Sequence, residues 1–129
     1  MKKEVEKKGA ERRRFARLDI ALSVSYAVES PGGKTSAYSE AMSSDISSGG
    51  LRLMTPTALE NGTKLDLEII LGDEAPQTIY AKGEVVWQTK ISDTSFETGV
   101  LLQITDNDAK KRLMEFIFDQ MSRLVGLNG

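Results

Sequence analysis

The chain of 129 residues has no cysteine and no histidine. Their absence excludes disulfides, zinc sites of the Cys/His kind, Ser–His or Cys–His nucleophilic pairs and imidazole acid–base chemistry. Aromatic side chains make up only 6% of the residues, with one Trp, three Tyr and four Phe. That is a poor supply of stacking platforms for single-stranded nucleic acid, and no nucleic-acid partner is expected. No stretch approaches the ~18 consecutive apolar residues of a membrane span. The first residues are too charged for a signal peptide, so a cytoplasmic location is the expectation. Carboxylates alone would have to supply any catalysis, and no pair of them stands out, so an enzyme is not expected. What is present, 40% hydrophobic and 28% charged residues, fits one soluble domain with a modest core.

The net charge of −2 conceals an asymmetry. Residues 1–17 hold eight Lys or Arg against three Glu, a local balance of +5, while the other 112 residues hold nine against sixteen, a balance of −7. A basic arm on an acidic body favours a local anion site over a broad nucleic-acid surface. Residues 2–14 have some helical character, but Gly9 interrupts it and few apolar residues anchor it, so residues 1–17 read as a flexible basic arm.

From Leu18 the pattern changes. Leu18, Ile20, Leu22, Val24, Tyr26 and Val28 alternate with mostly polar residues, the period of a half-buried strand. Pro31-Gly32-Gly33 turns the chain, and a second strand is expected from Tyr38 to Ile46. Leu51 to Met54 alternates again. Asn61-Gly62 precedes a strand from Lys64 to Leu71, and further strands are expected over Thr78–Thr89, with Gly83 as a bulge or bend, and Phe96–Ile104. Asn61-Gly62-Thr63 also fits a glycosylation acceptor, but a hairpin turn explains it. Six strands joined by short turns predict a mainly β fold, a small antiparallel barrel. A helix is expected over about 106–125, capped by Thr105 to Asp108 and stopped at Gly126. Its apolar set is wider than one stripe, because Met114 and Phe118 lie on a different side from Phe116, and the spare face suits either a second copy of the chain or deep burial within one chain. Residues 18–129 thus form the barrel with its C-terminal helix.

Two segments carry binding chemistry. Asp45-Ile46-Ser47-Ser48-Gly49-Gly50 offers a carboxylate, a hydroxyl and bare backbone amides; Arg12-Arg13-Arg14-Phe15-Ala16-Arg17 offers planar cationic forks. Together they suit a small guanine nucleotide, since an Arg fork matches O6 and N7 of guanine and a carboxylate accepts from N1–H and the N2 amino group. Taken alone, the Asp-Ser-Gly segment also reads as an Asx turn between strands.

With these residues in place the chain resembles a PilZ domain along nearly its whole length. The resemblance rests on Arg13-x-x-x-Arg17 before the first strand and Asp45-x-Ser47-x-x-Gly50 after an alternating strand. Gly83-Glu84-Val85-Val86-Trp87, Gly99-Val100 and the terminal helix follow in order. It implies a six-stranded antiparallel PilZ-type β-barrel with a C-terminal α-helix, in a bacterial receptor for the second messenger cyclic di-GMP, with no catalysis, no metal and no catalytic cofactor. Arg12, Arg13, Arg17, Asp45, Ser47, Gly49 and Gly50 are the ligand-binding candidates it implies, with Arg14 and Trp87 as further ones. Gly50 and Gly49 are expected to let the backbone approach the ligand and to adopt positive φ. Trp87 reads first as a packing residue of the core or barrel rim. An Arg at position 12 resembles family members that bind two stacked cyclic di-GMP molecules. The expected output is an arm ordered around the ligand and read by a downstream protein; the alternative is a PilZ-fold adaptor that contacts proteins without nucleotide.

Overall fold

A computed structural model describes residues 17–128, with the side-chain surroundings of residues 17–124. Arg12, Arg13 and Arg14, with the rest of the expected basic arm up to residue 16, lie outside the described residues. Six strands follow in order: β1 Ser23–Glu29, β2 Ser39–Ile46, β3 Gly50–Thr55, β4 Lys64–Leu71, β5 Gln77–Ser92 and β6 Ser95–Gln103, then helix α1 Asn107–Asn128. They close into a barrel in the order β1-β2-β3-β6-β5-β4, with every neighbouring pair antiparallel. Closure leaves no free strand edge among the described residues.

The alternation read from the sequence sets the two faces. Val24 and Tyr26, Leu51 and Leu53, Leu65, Leu67 and Ile69, Ile79 and Val85, and Val100 and Leu102 fill the interior. Helix α1 adds Ala109, Leu113 and Ile117, spaced every four residues, to the same core, while Phe118 and Leu124 stay exposed. Asp106 caps it by accepting the amide of Asp108 at 3.1 Å.

Four expectations change. The helix runs on to Asn128 through Gly126; a glycine costs about 1 kcal/mol against alanine in a helix, which does not force a stop. Regular pairing of β1 begins at Ser23, not Leu18. The preceding stretch is held otherwise: Leu18 and Ile46 exchange two backbone bonds of 2.9 Å, and the Ser43 hydroxyl donates to the Ile20 carbonyl and accepts from the Leu22 amide. A side chain replaces part of the ladder there, because β2 carries one extra residue, Ser44, between Ser43 and Asp45. Gly83 stays in register with Leu65 and Leu102, and the irregularities of β5 fall at Val86 and Ile91 instead. Glycine at 83 answers to packing: a Cβ would lie 2.7 Å from Val100 Cγ1 and 2.9 Å from Leu67 Cδ1. Finally, neither Gly49 nor Gly50 has a positive φ, which among the described residues is confined to Gly32, Gly33, Gly62 and Gly72.

Candidate functional site

The two bulges create the site. Alternation with period two would point Asp45 inward beside Ser43, and Trp87 inward beside Val85. One extra residue in each strand, Ser44 in β2 and Val86 in β5, reverses both. Asp45 then stands opposite Arg52, Arg52 opposite Gly99, and Gly99 opposite Trp87, a single row across β2, β3, β6 and β5. The interior runs just beneath, with Ile46 paired to Leu51, Leu51 to Val100, and Val100 to Val85. Trp87 therefore belongs to the outer face, 37% exposed, and not to the core its residue type suggested.

Gly99 makes room for it. A Cβ at residue 99 would sit 2.2 Å from Nε1 of Trp87, so the indole lies directly across the β6 backbone. Arg52 places its guanidinium carbon 5.7 Å from the centre of that ring, within reach of a cation–π contact.

Asp45 is on the outer face yet nearly buried, its side chain 10% exposed. Arg52 Nε lies 3.2 Å from Oδ2, while Arg17 Nε lies 3.9 Å from Oδ1, a charge contact too long to be a hydrogen bond. The Leu18–Ile46 bridge fixes Arg17 beside Asp45, since it anchors the residue that follows the arm to the end of β2.

The turn between β2 and β3 is equally determined. Ser47 donates its amide to the Gly50 carbonyl at 2.8 Å, and its hydroxyl accepts the amides of Gly49 and Gly50 at 3.3 and 3.2 Å. Ser47 thus holds the turn, the local role that a serine at this position supplies. The Gly49 carbonyl accepts from Leu102 at 3.1 Å. Gly50 is needed because a Cβ would come within 2.9 Å of the Val100 carbonyl oxygen. Close approach of β6, in place of an unusual φ, explains that glycine.

These residues line one open depression of about 390 Å³, with Arg17, Asp45, Ser47, Gly49, Gly50, Arg52, Val86, Trp87 and Leu101 among its walls. The volume falls within the ~300–1,000 Å³ range of small-molecule sites. The structure so brings together Arg17, Asp45, Ser47, Gly49, Gly50 and Trp87 from the sequence candidates. Arg12, Arg13 and Arg14 lie outside the described residues. Sequence reasoning missed Arg52. Its signal was available: a two-residue turn at Ser48-Gly49 sets residue 47 against 50 and hence 45 against 52, placing an arginine opposite the aspartate.

The family model for the PilZ domain matches residues 11–119. The chain belongs to the PilZ domain family. A comparison with curated proteins finds no match. Among solved structures, the inhibitor of motility MotI/DgrA of Bacillus subtilis aligns with a TM-score of 0.72 at 17% identity, over 87% of this chain and 52% of its own. YcgR of Escherichia coli in complex with cyclic di-GMP aligns with a TM-score of 0.65 at 14% identity, over 91% of this chain and 49% of its own. The isolated PilZ domain of YcgR with cyclic di-GMP aligns at 0.59 and 16% identity, over 89% and 97%. This chain therefore spans about half the length of the motility inhibitor and of full-length YcgR. At such identities the likeness establishes the barrel and helix.

Proposed function

We propose that the chain is a receptor for cyclic di-GMP. The ligand lies on the outer face of β2, β3, β5 and β6, and the residue 1–17 arm orders around it. The observation that carries this reading is the meeting of Asp45, Arg17 and the Ser47–Gly50 turn in one depression beside Trp87. Asp45 accepts from the N1–H and N2 donors of a guanine. Arg13 and Arg17 pair with guanine O6 and N7 and with phosphate oxygens, and Arg12 adds a cation for a second, stacked ligand with its further phosphates. Arg14 joins these forks at the phosphates. Ordering ten arm residues costs roughly 10–20 kcal/mol, which calls for a multiply charged ligand making several charge-assisted bonds. The arm, ligand and barrel then form a composite surface for a downstream protein.

The second reading, a protein-contact adaptor without nucleotide, draws on the exposed Phe118 and Leu124 of α1. That face would also serve a homodimer.

Thermal melting separates the two readings. Cyclic di-GMP at about 100 times its Kd should stabilise the folded chain by about 2.7 kcal/mol, raising Tm by several degrees, whereas GMP at the same concentration should not. An unchanged melting curve at saturating cyclic di-GMP would favour the adaptor.

A further inference from the structure

Arg52 has no role in the Arg-x-x-x-Arg and Asp-x-Ser-x-x-Gly signatures, yet it stands at the centre of the row that forms the site. Its guanidinium has a carboxylate on two sides: Nε lies 3.2 Å from Asp45 Oδ2, and NH1 lies 3.8 Å from Glu97 Oε1, a charge contact too long to be a hydrogen bond. One face of the same group lies over Trp87. A long side chain normally loses rotamer freedom when it binds, but here the ion contact with Asp45 and the indole of Trp87 already restrict it. The side chain stays 36% exposed, so the guanidinium is open to a ligand in the depression it lines.

We infer that Arg52 is an additional ligand-binding residue: with Trp87 beneath it, its guanidinium plane forms a cationic shelf on which one purine base of the ligand stacks. The inference rests on the cyclic di-GMP reading above. Three features of the arrangement support it. A planar guanidinium stacks on aromatic systems, whereas an ammonium does not present a flat face. Arg52 makes a single ion contact with Asp45, Nε lying 3.2 Å from Oδ2, and a carboxylate has about four acceptor positions, so Asp45 keeps acceptors for a guanine edge. Gly99 lets the Trp87 indole lie against the β6 backbone, with the Arg52 guanidinium over its ring.

The test compares the wild-type chain with Arg52→Ala, Arg52→Gln and Arg52→Lys by calorimetric titration with cyclic di-GMP and by the emission of Trp87, the only tryptophan in the chain. Losing one stacked base should weaken binding about 10-fold or more in Arg52→Ala. Arg52→Gln, which retains a planar donor toward Asp45 but loses the charge, should fall between Arg52→Ala and the wild type. Arg52→Lys retains the charge and should still bind about 5-fold or more weaker, because the flat face is gone. Saturating ligand should change Trp87 emission in the wild type and much less in Arg52→Ala. Wild-type affinity in Arg52→Lys would overturn the shelf in favour of charge alone. Wild-type affinity in Arg52→Ala, in a variant whose melting curve is unchanged, would overturn any role for Arg52. Constant Trp87 emission on saturating the wild type would overturn the stacking geometry. If the wild type itself binds nothing, both the receptor reading and this inference fall, an outcome distinct from a wild type that binds and variants that match it.

Discussion

Asp45→Asn should weaken cyclic di-GMP binding by at least about 100-fold while leaving the melting temperature within a few degrees of the wild type. Asparagine preserves the size of the side chain and one acceptor oxygen, but it replaces the second acceptor with an amino group that donates. On the Watson–Crick edge of guanine that group would meet N1–H or the N2 amino group, donor against donor. One hydrogen bond to a charged acceptor, worth about 1.5–3 kcal/mol, is lost, and the guanine donor left unpaired costs about 1–3 kcal/mol more; every 1.4 kcal/mol is tenfold in affinity, so the loss is about two decades or more. Stability changes less, because the partners that lose the charge, Arg17 and Arg52, have side chains 60% and 36% exposed and return to water. Calorimetry and a thermal melt on the same preparation check both halves. Binding within threefold of the wild type would remove Asp45 from the base-reading role.

Leu53→Ala should show the opposite balance, with a loss of about 3 kcal/mol of stability and a Tm lower by roughly 10 °C. Leu53 is fully buried, pairing across the register with Ser43 of β2 and Thr98 of β6. Closely packed neighbours on adjacent strands cannot collapse far into the space left by an isobutyl group without breaking the ladders, so most of a cavity persists. The residue also backs Arg52 on the other face of β3, and Ser43 beside it tethers the Ile20–Leu22 stretch that follows Arg17. Truncation is therefore expected to loosen the site along with the core. Circular dichroism melts with and without saturating cyclic di-GMP should show the ligand restoring part of the lost stability by mass action. A Tm within 3 °C of the wild type would mean that the barrel wall relaxes freely at this point.

The barrel was legible in the sequence because long stretches of its strands keep a period of two where one face is buried. Lys64 to Leu71 matched residue for residue. The bulges were not legible, since an inserted residue leaves the composition of a strand unchanged and shows only when two strands are laid in register. Gly83 attracted the expectation of a bulge because glycine often marks one, yet it serves to admit Val100 and Leu67. The insertion that turns Trp87 falls at Val86, in Val85-Val86-Trp87, where three bulky residues conceal any break in alternation. Trp87 was consequently read as a packing residue, and its place on the outer face follows only from the bulge. Asp45 and Ser47 were legible through their motif, but the near burial of an outward-facing Asp45 depends on Arg52, which motif reading passed over. Gly50 was singled out for a positive φ that it does not have; the close approach of the Val100 carbonyl is what requires a glycine there.

Isothermal titration of the purified chain with cyclic di-GMP, alongside Arg13→Ala, tests the central claim most directly. The account predicts saturable binding with two ligands per chain in the wild type and loss of that binding in Arg13→Ala. One ligand per chain would contradict the stacked pair assigned to Arg12 and leave the receptor standing. No heat in the wild type, together with no retention of ligand in equilibrium dialysis, would contradict the receptor itself.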